Sequence, residues 1–118
     1  MFRGEDKALA VKVEDSVGVL QSIDAMADLI AVLYSKENDT VALASYRKVA
    51  MTGYTTLVRV SSTEYTAIVP YTITDDFPIS DLKMEVEVVE TDARFPDSKR
   101  RTKGVGDVEE VEPSIIAV

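Results

Sequence analysis

The sequence of 118 residues contains no histidine, no cysteine and no tryptophan. The missing histidine and cysteine exclude a Ser-His-Asp triad, a cysteine nucleophile, a disulfide and a zinc site with nitrogen or sulfur ligands. Carboxylates, hydroxyls, lysine and arginine are the groups left for chemistry. We therefore expect a protein without enzymatic activity and without a cofactor.

Positive charge is scarce as well, because 13 Lys and Arg stand against 21 Asp and Glu, a net charge of −8. Phosphate binding needs a basic face, so we do not expect nucleic acid as a general partner. The least polar stretch, Ala25–Tyr34, is too short to span a bilayer and contains Asp28. The charged N-terminus lacks the apolar region of a signal peptide, so we expect neither a signal peptide nor membrane contact.

The apolar residues mostly recur with a period of two, which is the spacing of β-strands. Strands are predicted over residues 7–13, 28–35, 40–47, 55–61, 65–69 and 80–91, with another short one near Val105 and Val108. Residues 36–39 predict a hairpin loop of about four residues, and the charged segment 92–106 predicts a longer loop. No long helical pattern separates the strands, so the sequence predicts an all-β sandwich of six or seven strands.

Few motifs offer a small-molecule or metal site. Glu85 and Glu87 share one strand face and are expected in solvent, while Asp75-Asp76 is expected in a turn and lacks the spaced oxygen ligands of a calcium loop. Gly104-Val105-Gly106 is a GxG without a following helix, so we assign no nucleotide site. We predict no small-molecule ligand.

A cluster of five cations reverses the overall charge locally. Its members fall within ten residues and are Arg94, Lys99, Arg100, Arg101 and Lys103. The cluster is compatible with a solvated hairpin loop, with weak nucleic-acid contact or with a docking patch for an acidic neighbour. An acidic run follows it in Asp107, Glu109, Glu110 and Glu112. In a ring, the basic loop of one subunit would meet the acidic tail of the next, which is a heterologous contact.

The segment Pro113–Val118 turns apolar, with Ile115, Ile116 and Val118 as candidate partner-binding residues. An exposed apolar strand is an aggregation hazard. Such a segment either completes its own sheet or adds a strand to a neighbour. Both alternatives stay open.

The order of features resembles a family of phage proteins. The features are a charged opening (Phe2–Asp6), a strand through Leu9–Val13, a long strand from Asp28 with its hairpin, a short strand ending at Pro70, an alternating strand Leu82–Val89, and the turn Asp92–Asp97 followed by basic residues. Together they resemble the small immunoglobulin-like β-sandwich modules of tailed-phage virion proteins. The nearest are the N-terminal module of baseplate upper proteins and standalone proteins of crAss-like phages.

The resemblance implies an antiparallel immunoglobulin-like β-sandwich over residues 1–108, followed by an acidic and then apolar tail over 109–118. It also implies a non-enzymatic structural role in the virion, in multiple copies, docking on other virion proteins and on copies of itself. A neck, tail-ring or baseplate-type adaptor is the preferred interpretation, since no long receptor-binding region follows Val118. The alternatives are a capsid-decorating protein and a cell-surface adhesive or carbohydrate-binding sandwich.

Overall fold

The structure, a computed structural model, describes residues 1–114. This part of the chain forms eight strands and one helical turn: β1 (Lys7–Val11), β2 (Asp28–Ser35), β3 (Ala44–Arg47), β4 (Thr55–Thr56), β5 (Val58–Ser61), β6 (Glu64–Val69), α1 (Tyr71–Thr74), β7 (Asp81–Thr91) and β8 (Lys99–Glu110). One sheet has the order β1-β6-β5 and the other β4-β3-β2-β7-β8. All pairings are antiparallel except β3 with β4. The predicted all-β, mostly antiparallel architecture is confirmed, with more strands than the six or seven expected.

The two sheets pack on one shared core, as in a β-sandwich. Alternate residues of β2 and β6 enter the same buried cluster, which contains Leu29, Ala31, Leu33, Tyr65, Ala67 and Val69. This follows from the period of two, since residues i and i+2 of a strand point to the same side. Tyr46 of β3 reaches across the core, and its hydroxyl donates to the carbonyl of Ile68 in β6 at 2.8 Å.

The segment predicted as a loop over residues 92–106 is mostly strand. Only 92–98 form the turn, in which the Asp92 amide donates to the Ser98 carbonyl at 2.8 Å, and Ser98 adopts a positive φ of 59°. From Lys99 onward β8 pairs with β7 up to Glu110. The basic residues Lys99, Arg100, Arg101 and Lys103 therefore lie on an edge strand, because paired backbone groups of β7 hold them extended despite their charge.

The strand predicted over Thr55–Ser61 is divided between the sheets. Residues 55–56 pair with β3 in the five-stranded sheet, whereas Val58–Ser61 pair with β6 in the other. Leu57 lies at the crossing and is buried in the core. The chain thereby links the two layers directly.

Two shorter connections also differ from expectation. The third strand begins at Ala44, so the predicted four-residue hairpin loop extends over 36–43. Residues 71–74, where no helix was predicted, form the helical turn α1, since the carbonyl of Pro70 accepts from the amides of Ile73 and Thr74.

The end of β8 meets the start of the chain. The predicted domain boundary after residue 108 lies inside β8, and Val111 is fully buried. Glu112 then pairs in parallel with Phe2, with the Arg3 amide donating to the Glu112 carbonyl at 3.0 Å.

Candidate protein-binding site

An open groove separates the edges of the two sheets. β1 is the terminal strand of the three-stranded sheet, and β8 is the terminal strand of the five-stranded one. The groove runs between them with a volume of about 650 Å³, along Ala8–Glu14 on one wall and Thr102–Glu109 on the other. We call it the edge groove. Among residues 1–114, β1 and β8 each pair with one strand only, so the N–H and C=O groups on their outward edges have no strand partner there.

The floor of the edge groove is apolar and includes Met84, Val86 and Val88 of β7. In the β7–β8 register, Val86 lies opposite Gly104 and Met84 opposite Gly106, so both glycines point to the groove side. A Cβ placed on either glycine would have no heavy atom within 4 Å. The sequence analysis missed this site, although two glycines two residues apart in a strand often mark a close approach of another backbone.

One end of the edge groove is closed by charged groups. The Lys7 ammonium lies 3.5 Å from a carboxylate oxygen of Glu109, and the Met1 ammonium lies 3.1 Å from the other. The Met1 ammonium also donates to the Glu110 carbonyl at 2.9 Å. The Met1 and Lys7 charges hold the pKa of Glu109 below its ordinary value. Glu109 therefore stays ionised and ties β8 to β1 at this end.

The turn before β8 neutralises two members of the basic cluster. Arg94 donates to both carboxylate oxygens of Asp92, the shortest distance being 2.7 Å, and Arg101 donates to Asp97 at 2.8 Å. These hydrogen bonds lower the pKa of Asp92 and of Asp97. Arg94 and Arg101 are thus already engaged within the chain.

The other three cations have different surroundings. Lys103 lies 3.6 Å from Glu87, its partner across the β7–β8 ladder. Lys99 and Arg100 have no carboxylate oxygen within 4 Å among residues 1–114, and both are exposed. Arg100 and Thr102 are two residues apart in β8, so they lie on the same side of the strand. Thr102 pairs with Val88 of the groove floor, and Arg100 is therefore on the groove side as well. Lys99 and Arg100 are therefore the cations available to an incoming acidic group.

The predicted acidic run does not form a separate tail. Asp107, Glu109 and Glu110 belong to β8 itself, and only Glu112 lies beyond it. Four of the five cations and three of the four acidic residues are therefore carried on the same strand. The predicted contacts Ile115, Ile116 and Val118 lie outside the described residues.

The remaining candidates for chemistry are isolated. Glu85 is exposed, as expected, whereas Glu87 is half-buried and paired with Lys103. Over residues 1–114, no group of three or more Asp or Glu is arranged to hold a metal ion. The helical part of this region offers nothing long and apolar enough to cross a membrane.

Comparisons of the chain with protein-family models, with curated proteins and with solved structures give no match. The resemblance to phage modules therefore stays a prediction.

Proposed function

We propose that this chain is a non-enzymatic structural component of a tailed-phage virion, present in multiple copies and docking on other virion proteins at the neck, tail ring or baseplate. The edge groove is the observation that carries this proposal. Two strand edges face each other over an apolar floor, which suits an extended polypeptide, because a partner strand would supply the missing ladder hydrogen bonds. The proposal takes its virion context from the resemblance in the strand order and in the turn Asp92–Asp97.

The immunoglobulin-like topology is part of the same proposal. The two sheets share one core, and the crossing at Leu57 moves the chain from one sheet to the other, as strand connections of such sandwiches do. These features support a rigid module whose strand edges are presented to neighbours.

The basic end of β8 supports docking on an acidic protein surface. Lys99 and Arg100 are exposed and have no ion pair within 4 Å among the described residues, whereas Arg94 and Arg101 are engaged by Asp92 and Asp97. Nucleic-acid binding needs an extensive basic face, and the chain has a net charge of −8 with only these two cations of the cluster outside ion pairs over residues 1–114. Lys99 and Arg100 therefore favour steering of an acidic protein partner.

Purified phage particles test the proposed function. The phage that encodes this chain would be banded on a density gradient, and its proteins would be quantified by mass spectrometry. We expect the chain in multiple copies per particle, with immunogold label at the neck or tail and flanking genes for portal, capsid or tail proteins. A chain that is expressed during infection but absent from purified particles would refute the virion role. Label spread over the head would instead indicate capsid decoration.

A further inference from the structure

We infer that the edge groove binds the apolar segment Pro113–Val118 of a second copy of this chain, added as an extended strand. The inference deepens the proposed function, on which it rests, by naming the partner of the groove. The apolar residues Ile115, Ile116 and Val118 would lie over the groove floor, and the side chain of Glu112 before them would lie near Arg100.

The shape of the edge groove fits a strand. The strand part of one wall is Ala8–Val11, and at about 3.4 Å per residue it matches the ~13 Å that four extended residues need. The volume of about 650 Å³ also lies within the ~300–1,000 Å³ of typical binding pockets. Several groove residues present apolar surface that the chain itself does not cover: Ala8 and Ala10 are exposed, and Val86 is only partly buried.

Gly104 and Gly106 leave room in the edge groove for the backbone of a second chain. Both face the groove, and neither has a heavy atom within 4 Å of the position that a Cβ would take. Their φ angles are not positive, so the conformation of β8 does not itself require glycine. Close approach of a second backbone is a reason for two glycines in one strand face.

Charge distribution sets the direction of entry. Lys7 and Glu109 close one end of the edge groove, whereas Arg100 stands at the other end without a carboxylate oxygen within 4 Å among residues 1–114. Glu14 of the facing wall also lies near that open end. A segment that entered there would run antiparallel to β1 and would bring the side chain of the preceding Glu112 toward Arg100.

The path of the described chain favours a second copy over its own segment. Glu112 pairs in parallel with Phe2, just beyond the end of the groove that Lys7 and Glu109 close. The chain then turns at Gly4, and β1 returns along the groove in the opposite direction. A segment following Ser114 would have to reverse its course to enter the groove of the same molecule. Donor and acceptor surfaces differ, so the contact is heterologous and generates rings or filaments.

Self-association of the full 118-residue chain tests the inference. Sedimentation velocity over a concentration series would compare the unchanged chain with Gly104→Leu and with Arg100→Glu. The Cβ added at Gly104 has no heavy atom within 4 Å, so the leucine side chain has room to occupy the groove. We expect each variant to weaken association by about tenfold or more. The matched controls are Thr56→Leu, which adds the same side chain at the opposite edge of the five-stranded sheet, and Lys36→Glu at the far end of β2. Both should associate as the unchanged chain does, and circular dichroism would verify that all four fold.

A peptide of residues 109–118 gives a second readout. We expect the peptide to inhibit association. It should also slow the hydrogen exchange of those β1 amides that point away from β6. The same peptide with Ile115→Asp and Ile116→Asp should do neither.

Three results would overturn the inference. If neither Gly104→Leu nor the peptide changes the association, the copies associate through another interface. The proposed virion role would not be affected by that result. A monomer whose β1 amides are unprotected and unaffected by the peptide would leave the groove without this occupant. A monomer whose β1 amides lose protection in the full-length Ile115→Asp, Ile116→Asp variant would show that the segment fills its own groove. The particle experiment remains the separate test of the proposed function.

Discussion

Asp28 and Arg47 form an ion pair that is largely withdrawn from water. Their side chains are 13% and 18% exposed, and Arg47 donates through Nη2 and Nε to one carboxylate oxygen at 2.6 and 2.8 Å. The other carboxylate oxygen accepts from the amides of Leu29 and Val49 at 2.8 and 3.1 Å. The guanidinium also lies 5.0 Å from the centre of the Tyr54 ring. One aspartate thus satisfies four donors at the start of β2.

Replacing Asp28 should therefore be costly. Asp28→Ala leaves the guanidinium without its counter-charge and two amides without an acceptor, so we expect the free energy of unfolding to fall by about 3 kcal/mol. Denaturant unfolding followed by circular dichroism measures the loss. Asp97→Ala is the control, because Asp97 and its partner Arg101 are each 49% exposed and water replaces the lost contact. If both variants lost the same free energy of unfolding, burial of the Asp28–Arg47 pair would not contribute to stability.

At the scale of elements, the β7–β8 ladder carries an ion pair across its outward face. Lys103 lies directly opposite Glu87, and like charges at opposite positions of two strands repel. Lys103→Glu should lower the free energy of unfolding by about 0.5–1 kcal/mol, and adding Glu87→Lys should recover part of it. Thermal and denaturant unfolding measure both changes. Lys99→Glu makes the same change of charge opposite the uncharged Thr91 and should cost less. No recovery in the double variant would contradict the pairing.

Sequence patterns predicted the buried strands well. β2 has the predicted bounds, and β7 starts one residue later than expected. Both strands were predicted because their apolar residues alternate, which indicates a strand that buries one face. The short strand predicted near Val105 and Val108 lies in the second half of β8. The first half of β8 was missed, because it buries neither face. Thr102, Gly104 and Gly106 face the open groove, and the residues between them face solvent or Glu87. A strand without a buried face has no apolar period to detect.

The candidate site was predictable only in part. The five cations of the basic cluster stand out in the sequence, but their pairing depends on the turn at Ser98 and on the β7–β8 register. The edge groove depends on which strands terminate two separate sheets, and no local pattern encodes that. The division of Thr55–Ser61 has the same origin, since alternation does not tell a strand which sheet it joins.

At the scale of the whole molecule, Tyr46 joins the two sheets through the core. It is 1% exposed, and burial raises the pKa of its hydroxyl to about 12. The unfolded chain, with an ordinary tyrosine pKa of 10.0, ionises first. The stabilisation from the neutral hydroxyl is therefore fully present below about pH 10 and is lost as the pH rises toward 12.

Tyr46→Phe separates the hydrogen bond from the ionisation. Near pH 8 we expect the variant to be less stable by about 1 kcal/mol, because the Ile68 carbonyl loses its donor. Between pH 10 and 12 its stability should fall less steeply than that of the unchanged chain, since phenylalanine does not ionise. Denaturant unfolding across this range measures the slopes. Tyr71→Phe, at an exposed position, should follow the unchanged chain, and parallel slopes for all three would refute the assignment.

The pairing of Phe2 with Glu112 has a consequence for synthesis on the ribosome. Phe2 cannot form its bridge until Glu112 has been synthesised, and β1 likewise waits for β6. Contacts of such long sequence separation slow folding. The N-terminal strand therefore emerges early and docks late, and during that interval its edge is open to any nascent neighbour on the same messenger RNA.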